Sequence, residues 1–510
     1  MGRKVGVVLS YILMIFEVMS TLLLTPFIIS TLGQAEYGVY KLVASVTAYL
    51  LLLDLGVGNA VVRYVSKFKE ENNLQQSRKF LGVCLLFYSV IAFICLLLGG
   101  VLIYLFPTVF AKGLTAAEIA LSQKLLALTT INAAVALGTS VFNNYIIGYS
   151  RFKVSKGASI IQICIRMLLT VLALKANMGS VGIVAVNLLM TVICKGFYAF
   201  YVLFKMKILP LFKGLQSSFI KEVVIYSSFI LLQMIATQIN SCADQVLLGI
   251  FVSGSSILIG IYGVGAQVTQ YFQSIGAAFN GVLMPGIVAS VEKGASSTEL
   301  QKEMIRIGRF SICILSIIWV GFFTFGKQFI TLWAGKDNFQ AYYVALILMT
   351  AYLIINAEGI GTQILWALNK HKEQSILKIA IVLLNIILTI ILIKWRPILG
   401  ATIGTFISLI LGDVVVMNIV FKKYIGINLW KYYYGLFKGI LPCTIISGIL
   451  GFAFSLIGLS GWWGLIINLL FITSIYVITM FLFGFNKNEK HLILEILIKV
   501  LKLKKFGGNK

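Results

Sequence analysis

Apolar residues do not alternate with polar ones along this chain. They run in blocks of about 20, the length at which an α-helix crosses the hydrocarbon layer of a bilayer. Fourteen blocks are read, at about 6–30, 38–65, 80–106, 121–147, 157–174, 180–204, 223–251, 257–290, 309–333, 341–368, 376–393, 398–421, 436–458 and 462–484. Short polar stretches join them, so no extramembrane domain of any size is expected. The first block follows MGRK and reaches Ile29 without a small-residue cleavage site, which makes it a membrane helix rather than a signal peptide. The fold class expected is an all-α polytopic membrane protein.

The polar residues inside the blocks fall on helix faces, at 100° per residue. Gln233, Thr237, Asn240 and Asp244 lie within about 60° of one another, a stripe through the seventh block. Ser10, Glu17, Thr21 and Thr25 share a face of the first, and Tyr40, Thr47 and Asp54 stand at heptad spacing in the second. Two stripes carry cations: Ser159, Gln162, Arg166 and Thr170 in the fifth, and Asn187, Thr191, Lys195 and Tyr198 in the sixth. Gln267, Gln270, Ser274 and Asn280 are the polar residues of the eighth, with Glu358 and Asp413 in the tenth and twelfth. A charge at mid-bilayer costs about 2.5–3.5 kcal/mol on insertion scales, so such residues face a bundle interior or a wet cavity. Each could instead be paired across helices as internal glue. Asp54 and Arg63, nine residues apart, fall on opposite faces of a continuous helix, which leaves Arg63 to reach lipid phosphates near the inner end.

Composition agrees with the blocks. Of 510 residues 59% are hydrophobic and 12% charged, with a mean hydropathy of +0.98; soluble domains hold about 25% charged residues. The net charge of +25 raises nucleic acid as a partner, but its location excludes it. With the N-terminus inside, the outer connections hold only Lys41, Lys112, Lys175, Lys327, Lys336, Lys394 and Arg396, while most other Lys and Arg lie in the inner loops and tails. This positive-inside bias predicts both termini in the cytoplasm. The cysteines lie singly in apolar runs and the two histidines in basic segments, so no metal site or cofactor is expected.

A shift of 222 residues lays YGVYKLVASVTAY (37–49) on IGIYGVGAQVTQY (259–271), matching Gly38 with Gly260, Tyr40 with Tyr262, Val46 with Val268, Thr47 with Thr269 and Tyr49 with Tyr271. An even number of spans precedes each copy, so the repeats run parallel. The domains expected are a six-helix lobe over 1–220, a second over 221–424, helices 13 and 14 over 425–485, and a basic amphipathic tail over 486–510. The tail either attaches to anionic lipid or only anchors topology.

Two stretches carry a resemblance. LLLTPFIISTLGQAEYGVY (22–40) and LLLLDLGVGNAVVRYVSKF (50–68) contain L-G-x-x-E-Y-G-x-Y followed by D-x-G-x-x-N-A-x-x-R-Y. This resembles the N-terminal signature of the O-antigen and capsule repeat-unit flippases of the multidrug/oligosaccharidyl-lipid/polysaccharide superfamily. The matching residues are Leu32, Gly33, Glu36, Tyr37, Gly38, Tyr40, Asp54, Gly56, Asn59, Ala60, Arg63 and Tyr64. The resemblance implies two lobes around a cavity that opens alternately to either side of a bacterial inner membrane. The substrate it implies is an undecaprenyl-diphosphate-linked oligosaccharide, moved to the outer leaflet for lipopolysaccharide or capsule synthesis, with a polymerase or chain-length complex as partner. Under that reading Arg166 and Lys195 hold the diphosphate, Gln233, Asn240, Gln267 and Gln270 face the sugars, and Glu17, Asp54 and Asp244 are candidates to bind a coupling H+ or Na+. The rivals are a multidrug and toxin exporter or a lipid II flippase of the same superfamily. A membrane glycosyltransferase or polymerase is a further rival, but no catalytic loop is seen, so the expectation is a protein that is not an enzyme.

Overall fold

The structure, a computed structural model, describes residues 2–212, 217–368, 370–487, 489–491 and 495. All regular structure among them is helical, and each of the fourteen apolar blocks falls on helix. Among the described residues, eight helices are long and apolar enough to cross a membrane, or ten if each of two bent pairs is one span. The protein is therefore a multi-pass membrane protein.

Helix α1 (Gly2–Leu50) holds the first block and the first part of the second, broken at Gly33 by φ 76° and ψ 168°. A 3-10 turn (Leu51–Asp54) leads to a second break, with left-handed Leu55 and Gly56 (φ 55° and 70°) before α2 (Val57–Glu70). The second block is thus not one helix, and the opposite-face argument for Asp54 and Arg63 fails because the backbone turns between them. The chain continues through α3 (Leu74–Val109), α4 (Ala116–Gly138), α5 (Ser140–Gly148), α6 (Phe152–Lys175) and α7 (Gly179–Phe200). Then follow α8 (Ser217–Phe251), α9 (Ser256–Glu292), α10 (Ser297–Trp333), α11 (Ala341–Ala357) and α12 (Gly359–Ala367). The remaining helices are α13 (His371–Ile393), α14 (Pro397–Leu409), α15 (Met417–Tyr424), α16 (Leu429–Phe437), α17 (Ile440–Ser455) and α18 (Gly461–Thr479). Side-chain caps start several of them. Thr115 and Glu118 form a capping box on α4, Ser296 and Glu299 one on α10, and Asn73 accepts from the Gln76 amide on α3.

The helices gather into two compact units, Met1–Ala266 with His371–Gly412 and Gln267–Lys370 with Asp413–Lys510. In the first, a core of Tyr88, Tyr145, Phe80 and Val61 joins α2, α3 and α5, while α8 packs on α13 and α14. In the second, α10 is the central strut, packed by α11, α16, α17 and α18.

Candidate transport site

In the first unit Asp244 of α8 is 2% exposed and held entirely by neutral groups. Its Oδ2 accepts from the Tyr262 hydroxyl and from Thr405 Oγ1 at 2.6 Å, and Thr389 Oγ1 lies 3.3 Å from Oδ1. Both threonine hydroxyls also reach Asn385 Oδ1, at 3.0 and 3.2 Å, and the Asn385 amide donates to Asn240 Oδ1 at 3.0 Å. A hydroxyl has one proton, so each threonine serves either Asp244 or Asn385 and the cluster has more acceptors than donors. Close packing assembles it. On α14 a Cβ added at Gly404 would lie 2.8 Å from Thr389 Oγ1, and one at Gly400 2.1 Å from the Leu392 carbonyl oxygen. This small-xxx-small pair seats α14 on α13. The stripe reading found Asn240 and Asp244; Tyr262, Asn385, Thr389 and Thr405 were missed. Their signals were the i, i+4 pair Asn385 and Thr389, and GATIG followed at once by Thr405.

The cations lie on neighbouring helices of the same unit. Arg166 (α6) and Lys195 (α7) are half-buried and in no salt bridge among the described residues. Arg166 acts electrostatically on Tyr40, and Lys195 on Asp54. Arg166 stands nine residues before the end of α6 and Lys195 sixteen after the start of α7, which staggers them by ~11 Å along the helix axes. The rest of their stripes is spent on packing: Ser159 Oγ meets Tyr198 OH at 3.1 Å, and Gln162 donates to the Met190 carbonyl at 3.4 Å.

Of the other candidates, Asp54 is half-buried and accepts from the Tyr88 hydroxyl at 3.1 Å. Glu17 is exposed. Gln270 is exposed, and Gln267 is buried and donates to Tyr271 OH at 2.6 Å. The side chains of Gln233 and Asn280 lie outside the described residues. In the second unit Glu358, 3% exposed, follows α11 at its 42° bend into α12 and accepts from the Tyr433 hydroxyl and from Asn418 Nδ2 at 3.0 Å. It fastens α15 and α16 to that bend.

The family model described as polysaccharide biosynthesis protein matches residues 5–291, more than half of the chain. This chain belongs to that family. It is 20% identical over 485 residues to the uncharacterized membrane protein EpsK of Bacillus subtilis (strain 168), covering 92% of this chain and 93% of EpsK. Among solved structures, lipid II flippase MurJ in its inward closed conformation superposes with a TM-score of 0.68 at 16% identity, covering 93% of this chain and 98% of that one. The MATE multidrug transporter DinF-BH in complex with R6G gives 0.62 at 19% identity, covering 83% and 97%. The fold is therefore the one found in MurJ and in the MATE transporter.

The family motif is mostly architecture. Gly33 makes the break in α1, and the Glu36 carboxylate accepts from the Ser180 amide at 2.7 Å, capping α7 where Gly179 has φ 60°. A Cβ on Gly38 would lie 1.7 Å from the Ser256 carbonyl oxygen and 3.1 Å from the Gly260 nitrogen. Reciprocally, a Cβ on Gly260 would lie 3.1 Å from the Gln34 carbonyl oxygen and 3.4 Å from the Gly38 nitrogen. Gln34 and Ser256 are themselves 222 residues apart, so positions matched by the 222-residue shift meet one another. Beside them Ser255 N donates to the Gly113 carbonyl at 2.9 Å. The helices meet here backbone against backbone.

Proposed function

We propose that this chain is a flippase carrying an undecaprenyl-diphosphate-linked oligosaccharide repeat unit from the cytoplasmic to the outer leaflet of a bacterial cytoplasmic membrane, for cell-surface polysaccharide such as O-antigen or capsule. The observation that carries this reading is the pair Arg166 and Lys195, half-buried within membrane helices and in no salt bridge among the described residues. A cation so placed needs a counter-charge, and an anionic substrate supplies one. Their stagger suits successive contacts with a diphosphate, Arg166 through its fork and Lys195 as a point charge. Gln233, Asn240, Gln267 and Gln270 are proposed to face the sugars, with Gln270 the exposed one of those described. The moving bodies proposed are the two halves of the repeat, 1–220 and 221–424, with the glycine contact opening and closing in the cycle.

Asp244 is the coupling group proposed, ahead of Asp54 and Glu17. A buried carboxylate with no cationic side chain is costly unless a proton or a metal cation neutralises it. One carboxylate among hydroxyl and amide oxygens matches a monovalent ion or H+ better than a divalent metal, which takes more carboxylates.

The test is transfer of a fluorescent undecaprenyl-diphosphate oligosaccharide across proteoliposomes, native protein against Arg166→Ala/Lys195→Ala. Transfer by the native protein that collapses in the folded double variant supports the reading. Transfer that survives removes the diphosphate site but keeps the flippase. No transfer by the native protein across several glycans and ion gradients overturns the substrate class and favours a drug exporter.

A further inference from the structure

The second unit also has a cavity of about 540 Å³ between α10 and the segment after α18. α10 supplies Lys302, Ile305, Arg306, Arg309 and Phe310, and the opposite wall is Asn486 and Glu489. Arg309 is fully committed. Its Nε and Nη2 hold Glu489 at 2.6 and 3.1 Å, Nη1 donates to the carbonyls of Gly435 and Lys438 at 2.9 and 2.7 Å, and Nη2 donates to Gly484 at 2.9 Å. That uses every N–H of the guanidinium, and Glu489 matches its charge. Arg306 meets Glu303 at 3.5 Å in an exposed pair, the kind worth little in water. Lys302 is exposed and in no salt bridge among the described residues. The uncommitted charge of the cavity is positive, and Ile305 and Phe310 make the rest of its wall apolar.

The same end of the unit carries the residue types of a membrane surface. α16 buries Tyr432 and Leu436 and exposes Trp430 (82%) and Tyr434 (60%). Lys438 Nζ sits 5.3 Å from the Tyr434 ring centre, and Lys490 Nζ sits 5.6 Å from that of Phe481. Aromatic rings beside basic side chains mark the boundary between headgroups and hydrocarbon. The chain then runs on into KHLILEILIKVLKLKK, residues 490–505.

We propose that this cavity binds the phosphate headgroup of an anionic membrane phospholipid. Lys302 and Arg306 contact the phosphate, and Ile305 and Phe310 take the start of the chains. Free phosphate has no use for the apolar wall, and the aromatic belt places the cavity at headgroup level. The Arg309–Glu489 latch holds the second wall in place opposite the bound headgroup. The inference does not depend on what the protein transports.

The test titrates the purified full chain in mild detergent with short-chain phosphatidylglycerol, short-chain phosphatidylcholine or inorganic phosphate, reading apparent melting temperature and, by native mass spectrometry, retained lipid. Phosphatidylglycerol is expected to bind the native protein at least about tenfold more tightly than phosphatidylcholine, a difference of about 1.4 kcal/mol. Lys302→Ala/Arg306→Ala should lose that preference, while Lys302→Arg/Arg306→Lys and Lys422→Ala/Lys423→Ala, the last pair on α15, keep it. Equal binding of both lipids by the native protein would overturn the proposal. So would an unchanged preference in the alanine pair, the same loss in the α15 pair, or displacement of the lipid by inorganic phosphate at equal concentration.

Discussion

Replacing Arg309 by Met keeps an unbranched stem out to the position of Nε and removes five donors at once. The guanidinium is 3% exposed and its Glu489 partner 10%. The variant therefore leaves a nearly buried carboxylate without its counter-charge, together with three carbonyls, Gly435, Lys438 and Gly484, that lose a donor. Breaking one side of a buried pair costs about 3–5 kcal/mol. The loss falls where α16, the turn after α18 and the tail meet α10, so it is read as local detachment: ~3 kcal/mol shifts that docking equilibrium by on the order of 100-fold. Glu489→Gln also removes the counter-charge and turns an amide N–H toward the guanidinium, but it leaves Arg309 its three carbonyls and an amide oxygen, so its cost is smaller, about 1.5–3 kcal/mol, the scale of one hydrogen bond to a charged group. Limited proteolysis of the tail in detergent, with hydrogen exchange at 484–491, measures both. The expected order is Arg309→Met, then Glu489→Gln, then native. A tail cleaved at the native rate in Arg309→Met, or Glu489→Gln as damaging as Arg309→Met, refutes the reasoning.

Three further outcomes follow from the first unit. Asp244→Asn keeps the shape of the oxygen cluster but removes its charge, so transport should lose its response to an imposed Na+ or H+ gradient while the apparent melting temperature holds or rises; a retained gradient response would exclude Asp244 as the coupling group. Gly38→Val places atoms where the Ser256 carbonyl lies 1.7 Å from the nearest new carbon, so the contact must open; overpacking of this kind costs about 1–3 kcal/mol, and a melting temperature equal to native would contradict it. Glu36→Ala uncaps α7 and should cost about 0.5–2 kcal/mol, seen as faster hydrogen exchange at 180–183, with Glu36→Gln intermediate.

The helical blocks were legible because a bilayer-spanning segment announces itself by length and apolarity alone. The break after Asp54 was not, since only a left-handed Leu55 beside Gly56 marks it, and leucine carries no sign of that conformation. Two of the six residues of the Asp244 cluster, Asn240 and Asp244, were visible as a stripe on one helix. Tyr262 comes from α9, and Asn385, Thr389 and Thr405 come from α13 and α14, more than 140 residues away; periodicity along a single helix says nothing about which helix lies opposite. Arg309 was counted only as an inner-loop charge; its saturated role depends on carbonyls from two other segments and on Glu489, none of them its neighbours in sequence. The 222-residue shift, weak as five matches, did pick out one contact, because its matched glycines, Gly38 and Gly260, pack against each other.

That meeting of Gly38 with Gly260 is the internal form of an isologous interface, in which a patch faces its own copy across a twofold axis. In a symmetric dimer of half-length chains, any side chain added there would appear on both sides together, and the contact could only be kept or lost. In one chain of two repeats the sides are free to differ. Here the departures are already unequal, 1.7 Å for one added carbon and 3.1 Å for the other. Substitution is therefore graded: a small residue at position 260 meets the lesser obstacle and one at 38 the greater.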